Sequence, residues 1–126
     1  VPEPRGPEEY QEHIRRIVDS VPGAIAASIV GADGISLAGF SHVANFDFTL
    51  VDAELSTVQR AAQNAMRGMT AGEVDEIVVV AGKATFLMRP AGRDFYISIT
   101  LRGDQNLGIA RLVAKKMAQD LGRMLT

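Results

Sequence analysis

Three apolar runs between Glu76 and Leu101, EIVVVAGKATFLMRPAGRDFYISITL, constrain this chain more than any other feature. The breaks between them, Gly82-Lys83 and Ala91-Gly92-Arg93, are too short to hold a helix, and strands joined by such short links must run antiparallel. The stretch therefore reads as a three-strand meander that the other elements must cover. Its first run, Ile77 to Ala81, is apolar at every position, the pattern of a strand with structure on both faces. The second, Ala84 to Arg89, continues until Pro90, which has no N–H to give to a ladder. On the third strand Phe95, Ile97, Ile99 and Leu101 share one face. Tyr96, Ser98 and Thr100 share the other, where short side chains let a helix lie close.

The segments around the meander supply the rest of the fold. Residues 1–6 hold two prolines and almost nothing apolar and read as a loose tail, leaving 7–126 as one domain. Pro7, Glu8 and Glu9 suit a first helical turn, and Tyr10, Ile14, Ile17, Val18 and Val21 recur at helical spacing until Pro22-Gly23 stops them. A hairpin follows, Ala24 to Val30 and Ile35 to Gly39, around the turn Ala32-Asp33-Gly34. Thr49 and Asp52 resemble a capping box for a helix closing near Gly68, with Val51, Leu55, Val58, Ala62, Ala65, Met66 and Met69 as its core stripe. On its opposite side Ser56, Gln59, Gln63 and Asn64 are polar yet uncharged, unlike a solvated helix face, which reads equally as a face covered by a partner and as a merely neutral surface. A last helix runs from Leu107 to Leu125 on a stripe containing Ala110, Ala114 and Leu121. The order is helix, hairpin, helix, meander, helix.

Composition and missing motifs narrow the function. With 126 residues, 47% of them hydrophobic, the chain is large enough to bury a core without staples. It has no Cys and two His, so there is no disulfide framework, zinc spacing or thiol nucleophile. A net charge of -2 gives no footprint for nucleic acid. No apolar run is long enough to span a membrane, no signal peptide is visible, and a cytoplasmic location is expected. There is no phosphate-cradling glycine motif and no nucleophile elbow. His42 lacks a second His, Cys or carboxylate cluster and reads as neither a metal ligand nor half of a dyad. The expectation is a binding module with no catalytic, metal or cofactor residues.

The element order, the hairpin PGAIAASIVGADGISLAG from Pro22 and the helix start NLGIARL at Asn106 to Leu112 resemble the roadblock/dynein light chain superfamily. The resemblance spans nearly the whole chain. It implies an α+β fold, a five-stranded antiparallel sheet with one helix on one face and two on the other. It also implies a homodimer and a non-enzymatic role as scaffold or regulator of a small Ras-like GTPase, since bacterial members include partners of the gliding-motility GTPases. A dimer built on the first meander strand and the second helix would place Ser56, Gln59, Gln63, Asp75, Ile77 and Val79 at its interface, removing an aggregation-prone edge. Phe46, Phe48 and Arg93 are the candidate partner contacts. Phe46 and Phe48 belong to the Phe40 to Phe48 loop, whose aromatics read first as a plug for the sheet edge and second as a binding patch. The alternative function is a GAF-like small-molecule sensor, against which the turns Gly82-Lys83 and Ala91-Gly92-Arg93 look too short to lid a pocket.

Overall fold

The computed structural model describes residues 7–125; the expected tail, 1–6, lies outside them. Its elements follow the expected order: α1 (Pro7–Ser20), β1 (Ala24–Gly31), β2 (Ser36–Ser41), α2 (Phe48–Gly68), β3 (Ile77–Val80), β4 (Thr85–Pro90), β5 (Phe95–Leu101) and α3 (Leu107–Leu125). The strands form one antiparallel sheet in the order β2-β1-β5-β4-β3. The meander is β3-β4-β5, and the hairpin joins it where β1 pairs with β5, Ile29 opposite Ile97.

Alternation decides which face each helix covers. Ile97, Ile99 and Leu101 point to the side of α1 and α3, where they join Ile14, Ile17, Leu87, Ala114 and Leu121 in the main core. Each fully buried side chain of this size contributes about 1.5–3 kcal/mol by leaving water. Tyr96, on the other face, joins Val30, Leu55 and Met88 beneath α2. The α+β arrangement of one helix against two thus arises from the two faces of β5.

Local chemistry fixes the joints. Gly34 takes a positive φ of 86° in the β1–β2 turn, where a side chain would be strained. The carboxylate of Asp33 accepts the Ile35 N–H at 3.0 Å. Helix α2 opens differently from the expected box at Thr49. Asp47 is the N-cap, its Oδ1 accepting the Leu50 N–H at 3.0 Å. That frees Asp52 for another use, described below. The Phe48 ring lies over Gly39 of the edge strand β2, so close that a Cβ there would stand 2.7 Å from the ring.

One expectation about β3 needs correcting. Its unbroken apolar run suggested cover on both faces, but β3 is the last strand of the sheet, and Val80 is 58% exposed. The apolar character here belongs to a free edge and not to a central strand.

Candidate functional site

Helix α2 buries only Asp52, Leu55 and Ser56 among its residues, and its orientation decides what the molecule offers to others. The sheet face beneath it carries the hydroxyls of Ser28, Ser98, Thr100 and Tyr96, all buried. Such a surface selects polar partners, because each buried hydroxyl costs free energy unless it is hydrogen-bonded. The helix supplies them for Ser28 and Tyr96. Ser28 Oγ donates to Asp52 Oδ1 at 2.8 Å, the Ser56 and Tyr96 hydroxyls are 2.7 Å apart, and Tyr96 also reaches the Asp52 carbonyl oxygen at 3.3 Å. Asp52 is 1% exposed, and its Oδ2 has no hydrogen-bond partner. Burial pushes its carboxyl above the ordinary carboxylate range, opposed first by the Ser28 hydroxyl and then by that of Ser36. The Ser36 hydroxyl itself donates to the Ala38 carbonyl oxygen at 3.5 Å, so its help is the weaker.

This polar seat rotates the helix away from the arrangement its sequence suggests. Of the expected core stripe only Leu55 is buried; Val51, Ala62 and Met66 are half-covered, while Val58, Ala65 and Met69 are exposed. The side expected to meet a partner is turned inward instead. Ser56 is buried against Tyr96, Gln59 is half-buried, and Gln63 Oε1 accepts the Val74 N–H at 3.2 Å. Ser56 and Gln63 are thus bonded within their own chain. The outer surface is instead an apolar flank of Leu50, Val58, Ala61, Ala65 and Met69, of which Val58, Ala65 and Met69 were expected in the core stripe. The signal that could have found it was the row of hydroxyls on β1 and β5, which marks the helix face that must be polar.

The flank runs beside the free edge of β3. There Ile77 is half-buried in the cluster with Leu55 and Tyr96, Val79 is on the same face and exposed, and Asp75 is exposed just before the strand. A groove between the two is lined by Ala62, Met66, Val74 and Ile77 together with the carboxylates of Glu73, Asp75 and Glu76. Helix and edge both expose apolar side chains, Leu50 and Met69 being 57% and 61% exposed and Val80 58%.

The opposite flank of α2 is basic. Arg60 and Arg67 face the β4–β5 turn, which carries Arg93, across a cavity of about 320 Å³. The turn expected to be too short to lid a pocket therefore walls one. Among the described residues Arg93 makes no ion pair, including with its neighbour Asp94, whose carbonyl oxygen accepts the Ala32 N–H at 2.8 Å. Phe46 and Phe48 are half-buried, their rings tilted at 59° with centroids 4.8 Å apart, and Phe48 is committed to β2. His42 Nε2 lies 3.0 Å from Asp19 Oδ1, and its ring meets Phe40 edge-on. No group of metal-type side chains gathers among the described residues, and no described helix is long and apolar enough to cross a membrane.

Comparison with known proteins agrees with this architecture. Residues 10–101 match the Roadblock/LC7 domain. No curated protein sequence matches the chain. Among solved structures the chain is similar to the gliding protein MglB of Thermus thermophilus, with a TM-score of 0.85 and 16% identity over 98% of this chain and 93% of that one. It is similar to an MglB with a tetrameric arrangement at a TM-score of 0.86 and 17% identity, over 98% and 93% of the two chains. Similarity to MglC of Myxococcus xanthus has a TM-score of 0.65 with 28% identity, over 90% of this chain and 97% of that one. At such identities the MglB likenesses speak to the fold.

Proposed function

Because this chain belongs to the Roadblock/LC7 domain family, we propose that it works as a non-enzymatic, cytoplasmic, homodimeric scaffold that binds a small Ras-like GTPase and tunes its GTP hydrolysis. The observation that carries the reading is the apolar flank of α2 lying beside the unpaired edge of β3. A free strand edge is a template for pairing, and an exposed apolar strip of this extent is costly in water, so a second copy offering the same edge and strip satisfies both at once. Asp75, Ile77 and Val79 remain at that interface, and Val58, Ala65 and Met69 take the place of Ser56, Gln59 and Gln63. Self-assembly has a parallel in the MglB with a tetrameric arrangement.

The GTPase reading rests on the family and on the likeness to the gliding protein MglB. Its chemistry is conformational. An arginine finger, worth about a thousandfold or more in rate, must reach out on a mobile tip. Arg93 is the best-placed arginine for that, in the β4–β5 turn, yet it borders the chain's own cavity. The test is retention of a Ras-like GTPase, loaded with GDP or with a GTP analogue, on the immobilised protein, followed by single-turnover hydrolysis. Retention in one nucleotide state, with a loss under about tenfold in Arg93→Ala, supports a scaffold. No retention in either state by a protein that is dimeric sinks the GTPase reading, and a loss near a thousandfold with binding intact makes Arg93 a finger.

A further inference from the structure

The cavity beside α2 gathers charge in a way the scaffold role leaves unused. Its helical wall carries Gln59, Arg60 and Arg67, its other wall is the turn bearing Arg93 and Asp94, and Tyr96 forms the floor. Three guanidinium groups therefore border a space that contains one carboxylate. Arg60 and Arg93 have no ion pair among the described residues, and Arg67 reaches only Glu73, at 3.8 Å, with both side chains more than 60% exposed. Like charges facing one concave space repel, so a surface with no use for them would scatter them.

The rest of the cavity is prepared for a ligand with an organic body. Pro90, Phe95 and Ala32 give it an apolar side. Tyr96 is held by the Ser56 hydroxyl at 2.7 Å and by the Asp52 carbonyl oxygen at 3.3 Å, which fixes the floor and spends the phenol on the protein. Gln59 is different: its Oε1 is buried with no hydrogen-bond partner, an unused acceptor on a side chain that lines the space. A volume of about 320 Å³ stands at the small end of ligand pockets, which run from about 300 to 1,000 Å³.

We propose that this cavity binds a phosphorylated small molecule of about the size of a nucleoside monophosphate. Arg60, Arg67 and Arg93 hold the phosphate, the forked guanidinium matching its oxygens two at a time. Phe95 and Pro90 pack against the organic part, and Gln59 accepts from a donor on it. The apolar wall favours such a molecule over a free anion. This site goes beyond the scaffold reading and does not depend on it.

The experiment is a titration of the full chain, labelled with ¹⁵N and followed by two-dimensional NMR, using adenosine 5′-monophosphate, inorganic phosphate and adenosine as probes. The nucleotide is expected to shift the amides of Arg60, Arg67 and of Gly92 to Tyr96 saturably, with phosphate moving the same signals at higher concentration and adenosine moving them least. Arg60→Gln and Arg93→Gln are each expected to weaken the nucleotide about tenfold, the worth of one charge-assisted hydrogen bond. Both side chains are exposed, so the remaining signals report that the fold is intact. The proposal is overturned if neither anion gives a saturable shift by about 10 mM. It is also overturned if adenosine matches its monophosphate, if phosphate alone binds, or if the two variants bind as the native chain does. Dimer mass and GTPase retention, which test the scaffold, are read on the unliganded protein, so the two failures are distinguishable.

Discussion

Among the described residues, Asp52 is a buried carboxylate that pairs with no cation. Its Oδ1 is satisfied by Ser28, its Oδ2 by nothing, and burial raises its pKa from an ordinary 3.8. For an acid whose folded pKa is raised, the folded state holds its proton more firmly than the unfolded chain does. Its contribution to stability is therefore full below the ordinary value and is lost as pH rises through the folded one. Asp52→Asn keeps an acceptor for Ser28 and removes the charge. The variant should melt higher than the native protein at neutral pH, and the difference should vanish once pH falls below about 3.8. Equal melting temperatures across that range would mean that the carboxylate is already solvated or paired. Ile97 is the contrasting case, an apolar side chain 1% exposed on a strand with neighbours on both sides. Ile97→Ala should cost about 2–5 kcal/mol in denaturant unfolding, and a loss under about 1 kcal/mol would mean that the core closes over the gap.

At the scale of elements, legibility followed locality. Helix α1 and helix α3 were readable because their stripes repeat at helical spacing and meet a sheet face that is uniformly apolar, Ile97, Ile99 and Leu101. The strands were readable because turns too short for a helix left only the meander. The rotation of α2 was not, because the surface that sets it is assembled from Ser28 on β1 and Tyr96, Ser98 and Thr100 on β5, far from the helix in sequence. Ser98 and Thr100 read as short side chains, which gives room, but the hydroxyls of Ser28 and Tyr96 are hydrogen-bond partners and so draw Asp52 and Ser56 inward. The cavity was hidden for the same reason, since Arg93 meets Arg60 and Arg67 only once the helix crosses the β4–β5 turn. Val79→Pro removes an N–H and stiffens the edge, so the variant should dissociate or aggregate in sedimentation runs, whereas unchanged association would show that the β3 edge takes no part.

For the whole molecule, the fold divides its labour between two sides. One face of the sheet is closed by α1 and α3 over the main core, which holds most of the buried apolar side chains. The other is closed by α2 alone, seated on polar contacts and leaving one flank apolar and the other basic. The basic flank is the proposed ligand site. The apolar flank and the β3 edge are the proposed dimer face. Ala65 is exposed in the middle of it, so Ala65→Glu should leave the protomer folded while placing a charge opposite its own copy. Light scattering with size separation at about 20 μM decides the matter. The account predicts about 27 kDa for the native protein, twice the 13.5 kDa chain, and the mass of one chain for the variant. A native protein that elutes at 13.5 kDa, or a variant that stays dimeric, would contradict it.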